Sequence, residues 1–254
     1  MMDPSRRLET VPHMAELEVK SPSGRSGAAQ PPSAPATTTL ENGDRLTRCE
    51  FERRYAQRPD LKKAQLVEGI VYMPSPVSVA HAEPHAMIQA ALLVYAASTP
   101  GVHGYGNATL RLDLDNEPQP DVLLRLAPEA GGRSRVSDDG YLEGAPELIV
   151  EIAATSASID LHDKLSAYRR NGVQEYVVWR TQEQCIDWFE LTDGDYRPLP
   201  AGDAGVVHSR VFPGLRPAVP ALLNGDLAAA LRELQAGIDA DEHRRFAARL
   251  AKLS

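Results

Sequence analysis

Three side chains of this sequence, Asp121, Glu151 and Lys164, have the types and spacing for metal-assisted phosphodiester chemistry. Asp121 lies in Gln119-Pro120-Asp121-Val122-Leu123-Leu124, and Glu151 in Glu147-Leu148-Ile149-Val150-Glu151-Ile152-Ala153. Both runs are aliphatic and β-branched, and each reads as a strand with a carboxylate set into it. Alternation along the second run puts Leu148, Val150 and Ile152 on one face and Ile149, Glu151 and Ala153 on the other. Glu151 therefore sits between apolar neighbours, where an ionised carboxylate needs a cation. Lys164 shares a helical stripe with Leu161, Leu165 and Tyr168 at spacings of three and four, so it borders a buried face.

The chemistry such a set can do is specific. Magnesium takes oxygen ligands and keeps several waters, so one or two carboxylates and a substrate phosphate complete its shell. The ion polarises the phosphate and acidifies a bound water. A nearby ammonium stabilises charge developing on the phosphorus-bound oxygens or holds the attacking water. Plainer readings stand beside this one. Asp121, directly after Pro120, is also placed for a turn or strand edge. Glu151 could sit at an exposed strand end, and Lys164 could pair on the surface with Asp160 or extend its amine to solvent.

His81 and His85 have the spacing of zinc ligands on a helix. Pro84 between them suits a first helical turn, which leaves His81 in the preceding loop, near the mouth of the site and within reach of phosphate. Glu83 is misplaced for the His-Glu-x-x-His order of zinc peptidases. The sequence lacks a glycine-rich phosphate loop, a Gly-x-Ser-x-Gly elbow and a Cys-x-x-Cys pair. Trp179 and Trp188 fall in strand patterns and read as core.

At 254 residues the chain can bury one sizeable core. A net charge of -8 argues against tight, sequence-independent nucleic-acid binding, which depends on Lys and Arg; a metal ion and a local basic cleft would offset it. Two cysteines, Cys49 and Cys185, supply neither a disulfide framework nor metal-ligand spacing, which fits a reduced cytoplasmic setting. Residues 1–20 lack the apolar core of a secretory signal. The longest apolar run, 86–97, is too short to span a bilayer, so no membrane association is expected.

The elements that must position these residues follow from local signals. Residues 1–39 read as a disordered tail and linker, rich in Ser, Pro, Ala, Gly and Thr over 21–39. A capping box from Thr47 to Glu50 opens a helix through about Arg58. Residues 65–73 form a strand pair bent at Gly69, and a Pro/Ser loop over 74–79 precedes a helix from about Pro84 to Pro100-Gly101. Strands are expected over 108–114, 120–126 and 147–153, with a polar loop over 130–140. A helix over 158–170, with Asp163 and Arg169 facing solvent, stops at Asn171-Gly172. A strand over 175–179 and a hairpin of 185–191 with 195–199, turning at Asp193-Gly194, come next. Residues 224–254 form a helical extension with Leu227, Leu231 and Leu234 on one face. This order gives a mixed αβ core (α/β or α+β), which many hydrolases and binding proteins share.

One set of ordered motifs narrows the choice. It comprises Leu66-Val67-Glu68-Gly69, Tyr72-Met73-Pro74-Ser75-Pro76, Gln119-Pro120-Asp121, Glu143-Gly144-Ala145-Pro146-Glu147-Leu148, Val150-Glu151-Ile152, Asp163-Lys164-Leu165, Tyr168, Gly172-Val173, Glu175-Tyr176 and Phe212-Pro213-Gly214-Leu215. Over residues 45–223 the chain resembles the Uma2 family of endonucleases, a branch of the PD-(D/E)xK nuclease-like superfamily. The resemblance implies a restriction endonuclease-like domain over 40–223, with a central mixed β-sheet flanked by helices, an added N-terminal hairpin and a C-terminal helix. It implies Mg2+ or Mn2+ held by Asp121 and Glu151, Lys164 as the catalytic lysine, DNA as substrate and a homodimer. The superfamily's usual lysine, two residues after the glutamate, is here Ala153, so its role passes to Lys164. Ala64-Gln65 stands where many relatives carry Tyr-Glu, which leaves Glu68 as the nearby acid. Two other classes compete: a catalytically inactive binding module of the same fold, and a two-carboxylate glycosidase using Asp121 and Glu151 without metal or Lys164.

Overall fold

Two aliphatic strands lying side by side form the frame for Asp121 and Glu151. The computed structural model describes residues 39–74 and 76–253, so the tail and linker expected over 1–39 lie, Thr39 apart, outside the described residues. The first described elements are helix α1 (Arg48–Tyr55), strand β1 (Gln65–Val67) and strand β2 (Ile70–Tyr72). Thr47 precedes α1 in extended conformation but makes no side-chain cap bond, contrary to the expected capping box. Glu50 is drawn instead to the guanidinium groups of Arg53 and Arg54. β1 and β2 form the expected antiparallel pair, and with α1 they enclose a small core of Leu40, Phe51, Ala64, Leu66 and Val71.

Helix α2 (Val79–Ala97) begins five residues earlier than Pro84 implied. The helix starts at Ser78, whose carbonyl accepts from Ala82 N at 2.9 Å, and Pro84 lies inside it. Pro84 lies beyond the four amides that lack helical partners, so the Ala80 carbonyl receives no bond from residue 84. The expected core face holds: Met87, Ala91, Leu92 and Tyr95 are buried.

Strand β3 (Val102–Gly106), in a stretch without a strand signal, pairs antiparallel with β5 (Val122–Leu126). Two glycines dilute its pattern, and packing explains them. A Cβ at Gly104 would come within 2.9 Å of Leu93 Cδ2, and one at Gly106 within 2.5 Å of Gln89 Nε2, both on α2. The strand expected over 108–114 shrinks to β4 (Leu110–Arg111), because the chain folds back there as Leu112 N bonds Asn116 O. β4 joins β6 (Arg135–Val136) and β7 (Leu142–Glu143) in a small sheet. The loop expected over 130–140 therefore contributes a short strand.

β8 (Leu148–Ala153), β9 (Glu175–Arg180), β10 (Cys185–Thr192) and β11 (Asp195–Pro198) complete a six-stranded sheet in the order β11-β10-β9-β8-β5-β3. The β8–β9 pair is parallel and the others are antiparallel, so the sheet is mixed as expected. Alternation along β8 divides the interior. Leu148, Val150 and Ile152 join the larger core beneath α2, together with Trp179 and Trp188. Ile149 and Ala153 join the opposite core with Tyr168, Val173 and Tyr176.

The expected helix over 158–170 has three parts: a short α3 (Ala157–Ile159), a wide π turn (Asp160–Lys164) and α4 (Leu165–Asn171). Gly172 ends it with a left-handed φ of 82°. The C-terminal segment forms α5 (Val219–Leu223), α6 (Leu227–Ile238) and α7 (Asp241–Leu250). Ala230, Leu234, Phe246 and Leu250 of these helices belong to the larger core. Among the described residues no helix is long and apolar enough to cross a membrane.

Candidate active site

Asp121 stands just before β5, where the β5–β8 ladder opens. Val122 pairs with Val150, so the antiparallel register sets Asp121 opposite Glu151, on the same face of the sheet. Beyond that point the freed backbone groups of β8 take side-chain partners. Asp121 Oδ2 accepts from Ile152 N at 2.7 Å. The Ile152 carbonyl accepts from His81 Nδ1 at 3.0 Å, and His81 Nε2 lies 3.4 Å from Asp121 Oδ1. His85, one turn along α2, donates from Nε2 to the Asp121 carbonyl at 3.0 Å.

Glu151 is 3% exposed and has a partner on each oxygen. The Tyr168 hydroxyl donates to Oε1 at 2.8 Å, and Lys164 Nζ lies 3.0 Å from Oε2. Lys164 is itself buried and reaches Asp160 Oδ1 at 3.1 Å. The π turn makes this arrangement possible. The Tyr176 hydroxyl donates to the Asp160 carbonyl at 2.9 Å, which suits the wider turn, and both Asp160 and Lys164 face inward. The Ser156 hydroxyl holds the second Asp160 oxygen at 2.5 Å.

Electrostatics separate the two expected acids. Burial pushes the Glu151 carboxyl up to about 7, against the pull of the Lys164 ammonium, with Asp121 and Asp160 adding to the rise. Burial also acts to raise Asp121, but the His81 bond, the Ile152 amide and Lys164 outweigh it and hold that carboxyl below its usual range. Lys164 is opposed by burial yet raised on balance by Glu151, Asp160 and Asp121, so its amine keeps its proton. The two carboxyls, opposite each other in the ladder register, are thus driven in opposite directions.

The donor set fits a hard divalent ion. Two buried carboxyls, Glu151 and Asp160, hold the Lys164 ammonium, and the buried Asp121, opposite Glu151 in the register, has the imidazole of His81 at its rim. Carboxylate oxygens and a strand carbonyl are the ligands magnesium or manganese prefers. Among the described residues no three His, Cys, Asp or Glu side chains are arranged to hold a metal. An ion here would take two side-chain carboxylates and fill its shell with water and main-chain oxygen.

Glu151 and Lys164 are in contact, with Asp121 opposite Glu151 in the ladder register, and the surface readings of Glu151 and Lys164 do not hold. Asp160 pairs with Lys164, but in the interior. Glu68 stands apart, with the Arg170 guanidinium at 2.7 Å from its carboxylate. Asp163, expected to face solvent, accepts from the Tyr72 hydroxyl at 3.0 Å. The placement of His81 in a loop is corrected: it lies on α2 with its ring stacked on His85, centroids 5.9 Å apart, and it touches both Asp121 and β8. The spacing of four between the histidines is the sequence signal for this, and the usual first-turn preference of proline masks it.

The central mixed sheet flanked by helices is an α/β fold of the nuclease-like kind. The fold is similar to that of a protein from Anabaena variabilis ATCC 29413 described as a "putative nuclease belonging to DUF820", solved at 1.96 Å. The two superpose with a TM-score of 0.53 at 11% sequence identity, covering 68% of this chain and 97% of that one. Residues 49–224 match the Uma2 family, described as "Putative restriction endonuclease", and the chain belongs to that family. No curated protein gives a significant match.

Proposed function

We propose that this protein is a divalent-metal-dependent endonuclease that hydrolyses DNA phosphodiester bonds, with Asp121 and Glu151 holding Mg2+ or Mn2+ and Lys164 as the catalytic lysine. The observation that carries this reading is the buried Glu151–Lys164 contact at 3.0 Å, in register with Asp121 on the neighbouring strand. When bound, the ion supplies a polarised phosphate and a water of lowered pKa. Lys164 remains an ammonium, so it cannot serve as a base; its N–H groups hold the attacking water or the phosphate oxygens. Glu151 would hold the ion as an ionised carboxylate, with Tyr168 and Lys164 donating to its two oxygens. Tyr168 and Asp160 fix the rotamers of this pair.

The family match supports a nucleic-acid substrate; duplex DNA and a homodimer that sets one site against each strand extend that reading. Two unpaired cysteines, Cys49 and Cys185, agree with a cytoplasmic setting. The second reading, a metal-binding module without turnover, draws on the net charge of -8, which disfavours backbone binding by the free protein. Calorimetric titration of Mg2+ or Mn2+ into wild type and Glu151→Ala, run beside a plasmid-nicking assay, separates the two. Binding that Glu151→Ala abolishes, together with metal-dependent nicking, is the expected result. Binding without nicking over a broad DNA panel selects the module, and nicking that is independent of both metal and Lys164 rejects the nuclease mechanism.

A further inference from the structure

We propose that Lys63 binds a backbone phosphate of the DNA strand beside the scissile bond, with Asn107 presenting its ammonium there. The inference rests on the endonuclease reading above and names a substrate contact of the same site. The Lys63 ammonium donates to Asn107 Oδ1 at 3.2 Å. The Asn107 amide in turn donates to the Asp121 carbonyl at 3.1 Å. A single residue thus joins this cation to the main chain of one of the two strand acids. Folding fixes both partners. Lys63 leads into β1, where Leu66 N donates to Glu117 O at 3.1 Å and Glu117 N donates to Leu66 O at 2.8 Å. Gln119 Nε2 adds a bond to the Ala64 carbonyl, next to Lys63, at 3.4 Å. The chain that carries the lysine is therefore laid along the residues that run into Asp121. Asn107 follows β3 with a left-handed φ of 54°, a conformation asparagine tolerates better than most residues.

The charge on Lys63 is not neutralised. An ammonium has three N–H donors, and Asn107 takes one of them with an uncharged oxygen. Most described arginines, Arg53, Arg111 and Arg170 among them, pair with carboxylates. Lys63 makes no ion pair among the described residues, and its bond to Asn107 lies at the surface. Lys164 is already held inside the site by Glu151 and Asp160. In a chain of net charge -8, an unpaired ammonium close to Asp121 supplies the local attraction that a polyanionic backbone requires. Such a contact sets the register of the duplex and reads no sequence.

The alternative is that Lys63 is a strut that only braces Asn107. Fluorescence anisotropy of a labelled DNA duplex with the full chain, at a fixed Ca2+ concentration and varied KCl, tells the two apart. Lys63→Gln keeps a neutral donor for Asn107 and removes the charge, whereas Lys63→Arg keeps the charge. Lys252→Ala removes an equal charge from the exposed C-terminal end and serves as the control. Lys63→Gln is expected to weaken binding by up to about fivefold, whatever the duplex sequence. Its slope of log K against log[salt] should be shallower than that of wild type by about 0.9, the value of one phosphate contact. Lys63→Arg and Lys252→Ala should keep the wild-type slope. A wild-type slope in Lys63→Gln, or an equal loss in Lys252→Ala, would overturn the assignment and leave the endonuclease reading intact. Absence of duplex binding by wild type would overturn both. The expected slopes without nicking in Mg2+ or Mn2+ would keep the phosphate contact and reject the endonuclease.

Discussion

The Tyr168 hydroxyl donates to Glu151 Oε1 at 2.8 Å, which leaves the other carboxylate oxygen of Glu151 to the Lys164 ammonium. This division of labour on one buried carboxylate makes Tyr168 a positioning residue. Tyr168→Phe removes the donor and leaves a buried acceptor unsatisfied, at a cost of about 1–3 kcal/mol. The urea midpoint should fall accordingly, and DNA nicking should drop about tenfold or more as Glu151 loses its fixed rotamer. A variant with unaltered nicking would show that the phenol serves stability alone.

Lys164→Met tests the ammonium. Removing one partner of a buried ion pair leaves Glu151 and Asp160 facing each other without compensation, a loss of about 3–5 kcal/mol. The double variant Glu151→Gln with Lys164→Met should regain part of that stability but not all, because Asp160 still lacks its cation. Chemical denaturation of the four-member cycle gives the coupling directly. Nicking should be lost in both Lys164 variants whatever their stability.

Much of this arrangement is legible in the sequence because it rests on short-range pattern. A period of two along residues 148–153 assigns Glu151 to a covered face, and a period of three to four assigns Lys164 and Tyr168 to the stripe that covers it. Gly172 and Asp193-Gly194 mark their turns for the same local reason. The parts that stay hidden depend on tertiary partners. β3 carries glycines because α2 presses on it, which masks a strand signal that no neighbouring residue supplies. The π turn pairs its Asp160 carbonyl with the Tyr176 hydroxyl, a partner 16 residues away that local pattern does not supply. The helical place of His81 stays hidden because proline usually takes a first-turn position, and the tertiary fold overrides that preference at Pro84.

Another buried acid, Glu117, bridges to Leu66 of β1, and pH exposes it. Glu117 is 5% exposed, and burial, reinforced by the neighbouring Glu52, pushes its carboxyl up to about 8 despite Arg111. A carboxyl raised on folding binds more protons in the folded than in the unfolded state between its ordinary value, near 4.5, and about 8. Stability must therefore fall as pH rises through that window. Glu117→Gln keeps the neutral shape, so its stability should change less from pH 5 to pH 9. At pH 9 it should exceed wild type by about 1–3 kcal/mol, read from urea midpoints. Equal slopes for the two proteins would mean that Glu117 is already ionised at neutral pH.

The Phe212-Pro213-Gly214-Leu215 motif lies outside the acid cluster, and its glycine has a packing explanation. Gly214 adopts a left-handed φ of 88°, and an added Cβ would come within 2.6 Å of His243 Cβ and 2.8 Å of the Gly237 carbonyl. These contacts hold α6 and α7 against the core, where His243 Nδ1 donates to the Ile238 carbonyl at 2.8 Å and Tyr95 donates to the Pro213 carbonyl at 2.8 Å. Gly214→Ala combines backbone strain with an overlap that rigid main chain cannot relieve, and should cost about 2 kcal/mol or more. Because none of these groups touches Asp121, Glu151 or Lys164, Mn2+ affinity of the folded variant should match wild type. Thermal denaturation and Mn2+ titration on the same preparation check both halves. A change in affinity without a change in stability would tie the C-terminal helices to the site itself.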